Sequence, residues 1–237
     1  MEILTENQPE NQGFLNRLDH KIEKKSLLSH PYYQAWKAGE LTLDDLRVYA
    51  AQYYFFEANF PRYLSSIHAN CPDRAVRQDI LENLWDEEHG PDNHRKLWLD
   101  FCAALGLDER SVVDSPVLPT TQSLLDAYSG ITGEGSFQEG LSAMYAYEAQ
   151  VPKVAVEKIN GLRELYGIAD ETALKFFEVH GTLDVEHSAK EAQDLALSTQ
   201  PNEEPVVEAA LELALDAWLG FLDGVEEERH SLVQALR

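Results

Sequence analysis

Apolar residues recur every three or four positions through most of this chain, the period of a helix with one buried face. Phe14, Leu15, Leu18 and Ile22 set the rhythm first, and that segment stops at Ser29-His30-Pro31. A short helix is expected over 31–38, closed by Gly39. Another opens at Leu41-Thr42-Leu43-Asp44 and continues through Leu46, Tyr49, Ala50, Tyr53 and Tyr54. Pro61 starts or kinks a segment toward Cys71, and 73–89, 92–105, 119–130, 136–159, 170–198 and 203–235 keep the same rhythm. No stretch alternates as a half-buried strand would, and no Asn-Gly turn joins β-branched runs. The longest loop expected is GLDERSVVDSPVLP, from Gly106 to Pro119, and STQPNEEP reads as a turn between helices. Residues 1–12 are polar and expected to be a disordered tail. That leaves 13–237 as one all-α domain of seven to nine helices.

Composition narrows the partners. The 237 residues are 44% hydrophobic and 26% charged, enough for a single packed core and unlike a disordered or fibrous chain. Against 42 Asp+Glu stand 19 Lys+Arg, a net charge of −23 that repels phosphate backbones and anionic lipid. The densest basic cluster, Lys21, Lys24 and Lys25, is interrupted by Glu23. No run approaches the ~20 apolar residues that span a bilayer, and MEILTENQPENQ lacks the layout of a signal peptide. Cys71 and Cys102 make neither a disulfide framework nor a thiolate metal site, and both read as small buried apolar residues. A cytoplasmic protein without nucleic-acid or membrane partners is expected.

Three groups of residues carry candidate chemistry. In FEVHGTLDVEHSAKEA, His180, Asp184 and His187 are offset by four and seven residues, about 40° and −20° around a helix, so they share one face. Glu87 and His94 form a second pair seven apart, with Glu88 and His89 as neighbours able to take the place of Glu87. Glu148 is a lone carboxylate amid Ala, Met, Tyr and Val, costly to bury unless it is paired or binds a metal. Imidazoles and carboxylates without thiolate suit Fe, Mn or Zn, and helical bundles build two-metal sites this way. The Glu-x2-His spacing of ferritin-like proteins is missing. Pro91 and Pro152 stand four residues after Glu87 and Glu148, so both glutamates are expected at helix kinks. Spacing alone also fits a surface ion-pair stripe.

These residues, with the opening LLSHPYYQAWKAGELTLDDLRVYAAQYYFFEANFPRYL, resemble the heme-oxygenase-like superfamily that includes TenA and PqqC proteins. Within it, Glu87, His94, Glu148, His180, Asp184 and His187 match the ligand pattern of heme-oxygenase-like dimetal oxidases, and CADD-like para-aminobenzoate synthases are the nearest likeness. The resemblance spans roughly residues 14–230. It implies a di-iron or iron–manganese centre that uses O2 to make para-aminobenzoate, a folate precursor, from the enzyme's own tyrosine. The matching positions are Tyr33 as the sacrificed ring, Tyr49 as a radical-relay tyrosine and Lys158 as the amine source. It also implies a homodimer served by an external reductant. Without the resemblance, Tyr33 and Tyr49 read as packing aromatics. Lys158 reads as a helix-end cation, ~15 Å of ideal rise beyond Glu148.

Other readings remain. A TenA-like thiaminase needs a cysteine before the tyrosine on the Glu148 helix, where Ala143 stands instead. A PqqC-like cofactorless oxidase would not need three converging carboxylates. Another dimetal oxidase of this fold, acting on a fatty or amino acid, shares the same ligands. A non-enzymatic helical interaction module has no feature pointing to its partner groove.

Overall fold

The computed structural model describes residues 8–235, with side chains placed for 12–231. All regular structure there is helical, in twelve α-helices and one 3-10 turn (Leu27–Ser29). In chain order they are α1 (Gln8–Lys24), α2 (Pro31–Ala38), α3 (Leu43–Glu57), α4 (Phe60–Asn70), α5 (Arg74–Glu88), α6 (His94–Ala104), α7 (Glu109–Val113), α8 (Pro119–Glu134), α9 (Phe137–Glu148), α10 (Val151–Glu164), α11 (Glu171–Ser198) and α12 (Glu204–Ala235). Residues 1–7 of the expected tail lie outside the described residues, and 8–12 open α1. The helices outnumber expectation because polar caps and prolines cut the chain more finely than periodicity shows. The expected 136–159 helix is two, broken at Ala149–Gln150 before Pro152. The 106–119 loop contains α7, capped by Asp108.

α9 runs through the centre, buried at every residue from Gly140 to Glu148, with α8, α11 and α12 against it. A reciprocal cap between Ser136 and Glu139 starts it, satisfying backbone donors of the first turn. An aromatic cluster fills the space between α3, α6, α9 and α12: Tyr53 lies 4.1 Å from Trp98 and Tyr147 stacks on Trp218 at 4.8 Å. On the outside, the basic face of α1 zips onto acidic α12. Arg17 pairs with Glu204 and Glu208, Lys21 with Glu208 and Glu212, and Lys25 with Asp216. The one basic cluster of the sequence is thus largely neutralised within the fold.

Gly161 sets how closely α10 approaches α2. A Cβ there would collide with the indole of Trp36, which is fully buried. One turn before Gly161 is Lys158, and three residues before Trp36 is Tyr33, so this close approach brings the two together. Gly161→Ala is expected to lower stability by about 1–3 kcal/mol through overpacking, read as a drop in melting temperature.

Candidate metal centre

Three helices end in a buried glutamate or one residue beyond it: α3 at Glu57, α5 at Glu88 just after Glu87, and α9 at Glu148. Each of these glutamates stands four residues before a proline: Pro61, Pro91 and Pro152. The expected kinks are therefore helix ends. A proline cannot donate to the i−4 carbonyl, so the helix stops and that carbonyl stays free. A carboxylate at the negative end of a helix dipole is unfavourably placed. Three in one core call for positive charge.

The fourth contributor is α11, begun by an Asp170 cap and lying along α5, α6 and α9. It presents His180, Asp184 and His187 on one face, as their spacing predicts, all three buried. His94 enters from the first turn of α6, whose Asn93 cap accepts from the Lys96 amide. The seven side chains make two adjoining clusters. Donor atoms of Glu57, Glu87, His94 and His180 lie within 4.8 Å of one another, and so do those of Glu148, Asp184 and His187. All six ligands expected from the sequence are brought together. Glu87 is buried among them and Glu88 is exposed.

Glu57 was missed. Thirty residues separate it from Glu87, too far for any helical spacing to link them. It does share with Glu87 and Glu148 the offset to a proline, and with Glu148 its setting in an apolar run (YYFFEANFP). Those were the available signals.

Partners fix which atoms face the centre. His180 Nδ1 donates to the Phe176 carbonyl at 2.8 Å, leaving Nε2 toward Glu87 Oε1 at 3.9 Å. His187 Nε2 meets Asp86 at 3.2 Å, leaving Nδ1 toward Asp184 at 3.8 Å. Asn83 donates to Glu148 Oε1 at 2.9 Å. A carbonyl or carboxylate behind a histidine orients the ring and raises its basicity as a ligand. On the inner side, Glu57 Oε1, His94 Nδ1, Glu148 Oε2, Asp184 Oδ2 and His187 Nδ1 are buried with no hydrogen-bond partner. His94 Nδ1 is 2.8 Å from Glu87 Oε1 but misaligned for a hydrogen bond. Buried polar atoms are normally paired, so five orphans around one point fit metal ligands and not a hydrogen-bonded core.

The electrostatics agree. Burial pushes the carboxyls of Glu57, Glu87 and Asp184 well above their ordinary range, and neighbouring carboxylates push them further. Burial likewise lowers His94, and lowers His180 well below the usual imidazole value, favouring neutral rings with free lone pairs. Four carboxylates carry −4 and two divalent cations +4, so the seven residues with two such ions are neutral. That neutrality lets charged groups occupy a dry interior.

Next to this cage lies a cavity of about 20 Å³ whose lining includes Tyr33, Tyr49, Lys158 and His180. Lys158 Nζ, on α10, donates to the Tyr49 hydroxyl at 2.5 Å, and the Tyr49 and Tyr33 hydroxyls are 3.3 Å apart. Lys158 is buried, 4.6 Å from the ring centre of Tyr49 and 5.7 Å from that of Tyr33. Burial lowers its pKa to about 7, with Glu57 pulling the other way. The three residues singled out by resemblance are thus one hydrogen-bonded row. Cys71 and Cys102 are buried elsewhere and Ala143 carries no thiol, so no thiaminase-type nucleophile faces the cavity.

An all-helical bundle holding a buried His/carboxylate cluster is the framework of heme-oxygenase-like redox enzymes, and the profile of the iron-containing redox enzyme family matches residues 47–219. The chain belongs to that family and is an oxidoreductase. It is 40% identical to a 4-aminobenzoate synthase of Nitrosomonas europaea over 90% of this chain and 91% of that one. A 4-aminobenzoate synthase of Chlamydia muridarum is 37% identical, over 92% of each. Among solved structures, a CADD-like protein of unknown function from Nostoc punctiforme superposes with a TM-score of 0.77 at 19% identity, covering 92% of this chain and 98% of that one. No described helix is long and apolar enough to cross a membrane.

Proposed function

We propose that this chain makes 4-aminobenzoate, a folate precursor, by consuming its own Tyr33, with Lys158 as the source of nitrogen. The observation that carries the reading is the shared cavity: one wall is His180 of the cage, another is the Tyr33–Tyr49–Lys158 row. Glu57, Glu87, His94, Glu148, His180, Asp184 and His187 would hold the metals, two iron ions or iron with manganese. When bound, such a pair supplies the activation of O2, with electrons from an external reductant.

The rest is the work of side chains. The Tyr33 ring with its Cβ has the carbon count of 4-aminobenzoate, so the Cα–Cβ bond must break, Cβ must be oxidised to the carboxylate at the expense of O2, and the hydroxyl must leave as water as Nζ of Lys158, cut from its Cε, takes its place. Tyr49 lies between Tyr33 and Lys158, placed to pass a proton or an electron between them. Lys158 acts only as the neutral amine, and burial provides that form near neutral pH. Trp98 and Phe177 complete an apolar box around the ammonium position and keep bulk water out. At about 20 Å³ the cavity has room for one or two molecules the size of water or O2, too little for a fatty acid. That favours an internal substrate over an external one.

The test is isotopic. Protein grown with ring-labelled tyrosine and ε-15N lysine, then washed into unlabelled buffer with iron, manganese, reductant and O2, should release doubly labelled 4-aminobenzoate, at most one per chain. Unlabelled product, or many turnovers on an added small molecule, would move the chain to a general oxidase.

A pH dependence follows from Lys158. Its folded pKa of about 7 lies below the ordinary lysine value of 10.5, so between the two the unfolded chain binds the extra proton. The lysine's contribution to stability therefore rises with pH across that window. Product formation should rise through pH 7 as the neutral amine accumulates. Lys158→Met should abolish product yet raise stability at pH 7, by up to a few kcal/mol, measured by denaturant unfolding.

A further inference from the structure

All seven ligand candidates are buried, so cations must reach them through protein. α11 continues the ligand face outward: after His180, Asp184 and His187 come Glu191 and Asp194, each 6% exposed. Glu191 shares a cavity with Asn83, whose amide donates to Glu148 Oε1 at 2.9 Å. Beyond it, Asp194 faces Asp79 of α5, whose side chain is 35% exposed. Glu191, Asp194, Asp79 and Asn83 line one small cavity of about 10 Å³. Two oxygens there are buried without a hydrogen-bond partner, Glu191 Oε2 and the amide Oδ1 of Asn83. His187 of the centre lines the same cavity, so these carboxylate and amide oxygens, suited to a divalent cation in transit, lead directly to a ligand candidate.

We propose that Asp79, Asp194 and Glu191 form the entry path for divalent metal, with Glu191 handing the ion to Glu148. This rests on the dimetal reading of the centre. Lys190 lines the same cavity, held by Glu82 at 2.5 Å and 3.9 Å from Asp79. Its ammonium occupies the mouth as a resident cation that an incoming metal displaces. A second groove reaches His187 past Leu81, Trp85 and Asp86. Its acids are Glu82, Asp86 and Glu186: Glu82 is bound to Lys190, Asp86 to His187, and Glu186 is exposed, so no buried unpaired carboxylate leads inward there.

The test is the rate at which full-length metal-free protein takes up Mn(II), followed by loss of the EPR signal of the free aqua ion. Asp194→Asn should slow uptake about tenfold or more, in the range by which charge steers ions, and still end at two Mn per chain. Asp79→Asn, on the surface and harmless to folding, should slow it less. Lys190→Met should speed it, a change of opposite sign that mere loosening of the core would not pair with the others. Asp194→Glu should restore the rate. Wild-type rates in both aspartate variants, or a slowing confined to Asp86→Asn, overturn the path. No Mn uptake by the wild type would instead sink the dimetal centre itself.

Discussion

Tyr33→Phe should release no 4-aminobenzoate while keeping two metals per chain and a melting temperature near that of the wild type. The substitution removes one hydroxyl, engaged in a single 3.3 Å contact with Tyr49, and leaves the ring's packing with Tyr32 in place. A lost hydrogen bond of that kind costs about 1 kcal/mol, small beside complete loss of product. Mass spectrometry of the reaction mixture and metal analysis of the same sample are the paired measurements. A parallel check in cells is rescue of a 4-aminobenzoate auxotroph by the wild-type gene and not by Tyr33→Phe. Product from the variant at even a tenth of the wild-type yield would exclude Tyr33 as the consumed ring.

Asp184→Ala should lose most bound metal and all activity, and it should change the pH profile of the metal-free protein. Without cations, Glu57, Glu87, Glu148, Asp184 and Glu191 all have carboxyl pKa values raised, first of all by burial. For such groups the folded state holds more protons than the unfolded one above the ordinary carboxyl range. Stability of the metal-free protein therefore falls as pH rises above the ordinary carboxyl range. Lys158, His94 and His180, all lowered by burial, act in the opposite direction but are outnumbered by the five carboxyls. Metal binds only the folded arrangement and reverses the loss, so adding metal at pH 8 should raise the melting temperature by several degrees. Asp184→Ala removes one carboxyl from the cluster and should show a shallower pH slope with little response to metal. A wild-type melting temperature unchanged by strong chelator would argue against a structural role for the ions.

Much of the site was legible because α11 is one uninterrupted helix. His180, Asp184 and His187 keep their angular relation whatever surrounds them, Glu87 and His94 are linked by their spacing of seven, and Glu148 stands out as a lone carboxylate in an apolar run. Glu57 was not legible from spacing, since it meets the others only through the packing of α3. Lys158 reads as a helix-end cation without the resemblance, and its burial beside Tyr49 has a geometric reason. Ten residues beyond Glu148 would be far away along one straight helix, but the chain breaks at Ala149–Gln150 and α10 sets off in its own direction. The all-α class was plain from periodicity. The number of helices was not, since a five-residue helix such as α7 is held by a cap and shows too few turns to display a period.

The small size of the chamber beside His180 carries a last consequence. Tyr33 is buried and only about 20 Å³ is free beside it, so an aromatic acid cut from that ring would have to pass between helices to depart. Departure would then keep pace with breathing of α2 or α10, slowing in viscous solvent and quickening in variants that loosen the Trp36–Gly161 seam. Inhibitors would face the same sieve: azide, cyanide or nitric oxide would slip in, and bulkier mimics of the product would stay outside.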